Sequence, residues 1–246
     1  MKKEFRAGTL FAPVPAVMVS CGDMKNPNVF TVAWTGIVNT KPPMTYISVR
    51  PERHSYNMLK KGGCFVINLT TKELTQTADF CGVVSGSKND KAEKCGFTYE
   101  ESFKVSAPSI QESPVSIECK VKDIIKLGSH DMFLAEILTI SVDDSIINRN
   151  GKIMMEKADL ITYLHGEYFE LGKNLGKFGF SVNKKRANTR NNSDATNRKK
   201  PKVKFNSDSR SNESRGGGNS SSSARSNSSS SARKGKDKYS HLKNKK

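Results

Sequence analysis

Residues 28–36, which read NVFTVAWTG, decide how this chain is organised. The apolar run from Val29 to Trp34 favours a β-strand. Upstream, residues 16–21 form another apolar run with β-branched side chains, and residues 22–28 between the two runs are dense in turn formers. The pattern predicts a β-hairpin with a long loop.

Further along the chain, strands alternate with a few short helices. Strands are predicted at residues 44–49, 64–69, 115–121 and 131–142, and helices at 55–61, 71–80 and 156–164. A doubly wound nucleotide-binding sheet is not expected, because β-α-β-α alternation and a Gly-x-Gly-x-x-Gly motif are both missing. The pattern favours a mainly β fold with short inserted helices. An antiparallel barrel, closed or partly open, fits it because closure removes exposed strand edges.

The charge of the chain is concentrated at its C-terminal end. The 246 residues carry a net charge of +17, but residues 184–246 hold 19 Lys and Arg against 4 Asp and Glu, which leaves the first 183 residues with only +2. The C-terminal part also contains two runs of four serines and few apolar residues, so it cannot bury enough surface to offset its ordering entropy. We therefore predict a folded domain over residues 1–183 and a disordered basic tail over 184–246.

Cysteine usage and hydropathy indicate a cytoplasmic protein. The five cysteines are odd in number and form no C-x-x-C pair, so neither a disulfide framework nor a zinc site is expected. Pro13 and Pro15 break the one apolar run near the N-terminus that resembles a secretion signal. Since no apolar stretch approaches the ~20 residues needed to cross a bilayer, no membrane partner is expected.

Three segments combine small and polar residues beside apolar runs: 28–36, 48–55 and 79–91. No catalytic triad stands out, and the four histidines are scattered rather than clustered for a metal. Together the segments indicate a pocket at the rim of a β structure that holds a planar ligand bearing a phosphate. Any chemistry would then be carried by a bound cofactor.

The order and spacing of these segments resemble the flavin reductase-like family, specifically its flavoredoxin-like branch, over about residues 10–175. The resemblance is carried by residues 28–36, the proline pair before Ser48-Val49-Arg50, Arg53-His54-Ser55, residues 65–69, Cys81-Gly82, Ser85-Gly86, Asp90-Lys91 and residues 128–131. It implies an antiparallel split barrel of the Greek-key type with FMN as its cofactor. It also implies a homodimer with the flavin near the subunit interface, and redox activity that often uses a reduced nicotinamide.

The resemblance assigns the FMN contacts to these segments. Arg50 and Arg53 offer planar forks for phosphate oxygens, to which nearby hydroxyls and the start of a helix can add donors. Val32, Ala33 and Trp34 could line the flavin ring. The expected cofactor-binding set is Thr31, Val32, Ala33, Trp34, Thr35, Ser48, Val49, Arg50, Arg53, His54, Ser55, Asn68, Leu69, Cys81, Gly82, Ser85 and Gly86, with no catalytic side chain and no metal ligand.

Structural alternatives exist for several of these residues. The two arginines can be solvated loop charges, Trp34 can be a core or interface anchor, and Asn68 can close a turn. Lys91 can meet a phosphate or lie on the surface.

Three functions are compatible with these features. The first is an FMN-dependent oxidoreductase that passes electrons from a reduced nicotinamide to flavin or a downstream acceptor. The second is a flavoredoxin-type electron carrier without a substrate site of its own. The third is a polyanion-binding protein in which the basic tail holds RNA through its phosphates, without sequence preference.

Overall fold

The structure, a computed structural model, describes residues 1–182 of the chain. Residues up to Phe180 form one compact unit. The predicted disordered tail, 184–246, lies outside the described residues, so the domain boundary near residue 183 stays a prediction.

The described chain is mainly β. The strands are β1 Val17–Asp23, β2 Asn26–Val32, β3 Thr35–Thr40, β4 Pro43–Val49, β5 Cys64–Leu69, β6 Tyr99–Glu100, β7 Ser109–Ile110, β8 Val115–Lys126, β9 Asp131–Val142, β10 Ile161–Leu164 and β11 Glu167–Glu170. The helices are α1 His54–Gly62, α2 Thr75–Val83 and α3 Lys91–Cys95, with single 3₁₀ turns at Asp144–Ile146 and Met155–Lys157. Within residues 1–182, no helix is long and apolar enough to cross a membrane.

Seven strands form one antiparallel sheet in the order β2-β1-β5-β8-β9-β4-β3. The two outer strands, β2 and β3, are joined along the chain by Ala33 and Trp34 alone, so the sheet must curl until its edges approach. The Ser48 N–H donates to the Trp34 carbonyl across this junction at 3.0 Å. In the sheet order, β8 and β9 lie between β4 and β5, which are consecutive along the chain, and this agrees with the expected Greek-key barrel.

The core fills the inside of the curled sheet. Phe65, Phe133, Ile47 and Leu59 are fully buried there, and Leu59 belongs to α1, which closes one end. Burial of each such side chain contributes roughly 1.5–3 kcal/mol to folding. A second cluster on the outer face packs α2 and α3 against β1 and β2 through Met18, Val29, Leu74, Ala78, Cys81, Phe97 and Ile110.

The structure corrects three sequence predictions of secondary structure. The first hairpin has a two-residue turn, because Gly22, Asp23 and Asn26 to Asn28 belong to paired strands. Helix α2 begins at Thr75 rather than Thr71, whose backbone bridges to Leu160. The predicted helix over 156–164 is wrong, since this segment holds a 3₁₀ turn and then β10.

Candidate functional site

An open cleft of about 480 Å³ lies where the curled sheet fails to close. It is bounded by the ends of β2 and β4, by one face of α2 and by the β10–β11 hairpin. Its volume is in the usual range for small-molecule sites. The lining residues are Ala16, Phe30, Thr31, Val32, Ala33, Trp34, Ser48, Val49, Arg50, Arg53, Asp79, Gly82, Val83, His130, Tyr163 and Tyr168.

The end of β2 supplies one wall of the cleft. In the described sheet β2 pairs with β1 alone, so its second edge carries main-chain donors and acceptors that no strand uses. Thr31, Val32 and Ala33 lie on this edge beside the cleft. Trp34 continues the wall, with 42% of its surface exposed and its ring 4.6 Å from the ring of His130. This wall can meet both an apolar ring face and the polar edge of a heterocycle.

Two arginines occupy the turn between β4 and α1. The Arg53 N–H donates to the Arg50 carbonyl at 3.1 Å, which brings both residues to the same end of the cleft. The Arg53 Nη1 also donates to the Gly82 carbonyl at 2.6 Å and so ties this turn to the last turn of α2. Both guanidinium groups carry positive charge at all ordinary pH values, so this end of the cleft favours an anion.

His130 lies at the same end of the cleft, immediately before β9. Its Nδ1 is 3.0 Å from the Ser129 hydroxyl. Partial burial lowers its pKa, and the nearby positive charges of Arg50 and Arg53 lower it further, against a smaller opposite effect of Glu52. The imidazole is therefore neutral at pH 7, and it contacts Trp34 as an uncharged ring, with the two ring planes tilted by 41°.

The β10–β11 hairpin forms the remaining wall. Its turn, His165-Gly166, has positive φ at both residues (49° and 103°), as a two-residue hairpin turn requires. Tyr163 and Tyr168 are a cross-strand pair with ring centroids 5.3 Å apart, and both line the cleft. The Tyr168 hydroxyl donates to Asp79 Oδ1 on α2 at 3.0 Å. Burial, and then this hydrogen bond, raise the pKa of Tyr168 to about 12, so the phenol stays protonated.

The structure separates the seventeen predicted cofactor-binding residues into two groups. Nine of them line the cleft: Thr31, Val32, Ala33, Trp34, Ser48, Val49, Arg50, Arg53 and Gly82. The other eight do not line it: Thr35, His54, Ser55, Asn68, Leu69, Cys81, Ser85 and Gly86.

Three of the eight have buried side chains that are occupied elsewhere. Asn68 is fully buried and makes hydrogen bonds to neighbouring core groups, so its amide cannot reach a ligand in the cleft. The Ser55 Oγ accepts from Asn28 Nδ2 at 2.7 Å beneath α1. Cys81 is fully buried on the inner face of α2, where burial raises its pKa to about 12 and leaves it an unreactive thiol.

The remaining five also serve the fold or face away from the cleft. Thr35 donates to the Tyr46 carbonyl at 2.5 Å, and Leu69 packs against the core. His54 and Ser85 are exposed outside the cleft lining. At Gly86 a Cβ would lie 2.0 Å from Asn28 Oδ1, so a protein side chain, and not a ligand, requires this glycine.

Lys91 matches neither of its two sequence-based interpretations. It is 4% exposed, and its Nζ donates to the carbonyls of Val29 on β2 at 2.6 Å and Cys81 on α2 at 3.0 Å. Burial lowers its pKa. Lys91 therefore holds α2 against the edge of β2 from behind the cleft.

Seven lining residues were missing from the sequence-based site: Ala16, Phe30, Asp79, Val83, His130, Tyr163 and Tyr168. A signal for the tyrosines was present, since strand-forming residues, ITYL at 161–164 and EYFE at 167–170, flank His165-Gly166 as they flank a hairpin turn. The side chain of Asp79 gives no such signal, because only the orientation of α2 turns it toward the cleft.

The groups that line the cleft match the parts of a flavin nucleotide. Cations stand at one end, aromatic and apolar side chains form the walls, and unused main-chain groups line the β2 edge. Among residues 1–182, no group of three His, Cys, Asp or Glu side chains could hold a metal ion.

A sequence model of the flavin reductase like domain matches residues 10–172. The chain belongs to the flavin reductase-like family. This confirms the resemblance inferred from the sequence and supports the predicted FMN cofactor.

Solved structures and a sequence relative agree with this assignment. Flavoredoxin of Desulfovibrio vulgaris (Miyazaki F) is 31% identical with a TM-score of 0.69, over 74% of this chain and all of the other. The FMN-binding protein of Thermus thermophilus, at 16% identity and a TM-score of 0.61, covers 72% of this chain and 99% of its own, and shows the shared fold. A protein of Archaeoglobus fulgidus is 31% identical over 140 residues, 57% of this chain and 77% of its own. The predicted split barrel is thereby confirmed.

Proposed function

We propose that this protein binds FMN in the cleft and acts as a flavin-dependent oxidoreductase. The observation that carries the proposal is the pairing of Arg50 and Arg53 at one end of a cleft with apolar and aromatic walls. The phosphate belongs at the arginine end, where two guanidinium forks can make charge-assisted hydrogen bonds. When bound, the flavin supplies the transfer of electrons or hydride.

The protein side chains then bind and orient the cofactor. The free edge of β2 at Thr31–Ala33 offers donors and acceptors to the polar edge of a ring system. Trp34 offers an exposed flat apolar face, and the mostly buried Val32 adds a smaller apolar contact. Neutral His130 beside the arginines adds a group that can donate or accept without adding charge. Because the cleft is open, one side of a bound ring stays accessible to an electron donor.

We propose a reduced nicotinamide as that donor and a flavin or a downstream protein as the acceptor. The alternative is an electron carrier without a substrate site of its own, which the 31% identity to a flavoredoxin favours. Steady-state oxidation of NADH and NADPH, with free flavin or a ferric acceptor, separates the two. Turnover supports the reductase, whereas a bound flavin with no turnover supports the carrier.

We also propose that the chain forms a homodimer in the cytoplasm. Edge strand β3 exposes Ile37 (66%) and Val38 (49%) next to the cleft wall, which is costly unless another surface covers them. All five cysteines are free thiols, as in a reducing compartment. Light scattering during size-exclusion chromatography tests the dimer, and a monomeric mass would refute it.

FMN binding is tested by titration of the purified chain. Trp34 is the only tryptophan and lines the cleft, so FMN bound there should quench its fluorescence and develop a perturbed flavin absorption spectrum. Arg50→Ala should weaken binding about tenfold or more, because a hydrogen bond to a charged group is lost. Lys60→Ala, on α1 away from the cleft, is the control with the same charge change.

Riboflavin sharpens the test, since it lacks the phosphate. The wild-type chain should prefer FMN to riboflavin, and Arg50→Ala should reduce that preference. A chain that takes up no FMN, or an Arg50→Ala variant with wild-type affinity, would contradict the proposal.

A further inference from the structure

The β10–β11 hairpin is attached to the rest of the molecule unequally along its two strands. On β10, Tyr163 exchanges backbone hydrogen bonds with Val14 at 2.8 and 3.1 Å, and the Ile161 N–H donates to the Thr70 carbonyl at 3.2 Å. Within the described residues, strand β11 pairs with β10 alone. Main-chain bonds therefore anchor the first strand to the rest of the molecule, whereas the second strand has main-chain pairing only with the first.

Two side-chain contacts join β11 to the region of α2. Tyr168 donates to Asp79, and Glu170 forms an ion pair with Lys72 just before α2. The ion pair is well exposed and screened by solvent, so it adds little. The Tyr168–Asp79 bond is also exposed on the Asp79 side, whereas the Tyr168 ring is half-buried against Tyr163.

The Tyr168–Asp79 bond joins two walls of the cleft. Tyr168 and Asp79 both line it, but they come from elements that share no strand pairing. Breaking the Tyr168–Asp79 bond would free β11 to swing about the anchored strand β10. A short hairpin held in this way is expected to open far more readily than the barrel strands beneath it.

We infer that strand β11 is a movable flap at the cleft, and that the Tyr168–Asp79 hydrogen bond is the latch that holds it closed on a bound ligand. The inference rests on the proposed function only in taking FMN as the ligand. Because the latch is intact only in the closed flap, its loss acts mainly on the rate of ligand release.

The test is the rate of FMN release from the full-length protein, followed by stopped-flow recovery of Trp34 fluorescence. Tyr168→Phe keeps the ring and removes the donor, and we expect release about fivefold faster, the effect of one ordinary hydrogen bond on a rate. Tyr46→Phe, which removes a hydroxyl outside the cleft lining, is the matched control.

Substitutions of Asp79 distinguish a latch from a direct contact between Tyr168 and the ligand. Asp79→Ala should accelerate release as much as Tyr168→Phe. Asp79→Asn, which keeps an acceptor oxygen, should retain most of the wild-type rate. The double variant should be no faster than either single variant, because both remove the same bond.

Hydrogen exchange of the ligand-free protein gives a second readout. The amides of β11 should exchange faster in Tyr168→Phe, whereas those of β5 in the barrel should not change. Unchanged release in Asp79→Ala, or additive effects in the double variant, would overturn the latch. Absence of FMN binding by the wild-type chain would instead refute the proposed function, and β11 exchange would then decide the latch alone.

Discussion

At the residue scale, Asn68 shows that the sequence alone does not distinguish a ligand-binding polar side chain from a structural one. It follows an apolar run near the end of β5, where a ligand contact and a structural role predict the same residue type. In the structure its Nδ2 donates to Met18 O and Ser20 Oγ, and its Oδ1 accepts from Ile110 N and Ser116 Oγ. These bonds join β1, β7 and β8 to β5.

Asn68→Ala should therefore lower stability and leave FMN binding intact. Removing the amide leaves buried donors without partners, and we expect a loss of roughly 2–4 kcal/mol in the free energy of unfolding. Denaturant titration measures it, with Asn57→Ala on the exposed face of α1 as the control. A variant that keeps its stability but binds FMN more weakly would instead indicate that Asn68 contacts the cofactor.

His130 carries the clearest pH signature of the cleft. Its pKa is lowered in the folded protein, so the folded state binds fewer protons than the unfolded state just below pH 6.5. The free energy of unfolding should consequently fall as the pH drops from 6.5 through the lowered pKa. His130→Gln should remove this part of the pH dependence.

NMR titration of the His130 ring checks the cause. In Arg50→Ala the pKa should move back toward its usual value, since one repelling charge is gone, while burial keeps it below that value. A His130 pKa at or above 6.5 in the wild-type protein would contradict its placement in a partly buried position beside Arg50 and Arg53.

At the element scale, the loop after α2 is held by contacts that no ligand needs to make. Gly86 packs directly on Asn28, and Lys91 donates to carbonyls of β2 and α2. The small residues at 82–86 were expected to admit a ligand close to the backbone. Only Gly82 lines the cleft, and Gly86 instead admits a side chain from β2.

Gly86→Ala should destabilise the protein by about 1–3 kcal/mol, as overpacking of a close contact does. The new methyl group would overlap Asn28 and disturb its hydrogen bond to Ser55. Thermal unfolding measures the loss. Gly62→Ala in α1, where a Cβ would have open space, is the control and should be neutral or slightly stabilising. Equal melting temperatures for the Gly86→Ala and Gly62→Ala variants would contradict the close contact between Gly86 and Asn28.

At the scale of the whole molecule, the charge of the sequence divides the chain into two parts. Residues 1–183 contain every residue of the cleft and are nearly neutral, whereas residues 184–246 carry a net charge of +15. We propose that the tail binds RNA through phosphate contacts, which makes binding strongly dependent on salt.

Deletion of residues 184–246 should abolish RNA retention and leave FMN affinity unchanged. Gel-shift assays at two salt concentrations measure the first effect, and Trp34 quenching measures the second. RNA binding that survives the deletion would place the nucleic-acid contact on the folded part.

The sequence by itself determined six of the seven strands of the main sheet, the absence of a doubly wound sheet, the family, and three of the segments that form the cleft. These follow from local periodicity and from the order of short motifs, and strands β4, β5 and β9 began and ended within a residue of prediction. The sequence pattern predicted a helix where β10 lies. In so short a segment, apolar residues three and four positions apart occur both in helices and in strands.

Only the tertiary structure decided which polar residues face the cleft and which serve the core. Asn68, Ser55 and Arg53 look alike as polar residues beside apolar runs, but burial and partners assign the first two to the interior and the third to the cleft. Tyr168 and Asp79 are 89 positions apart, and their meeting depends on how the sheet curls. The physical reason is that a ligand site here is made by closure of a barrel, which brings together residues that no local pattern relates.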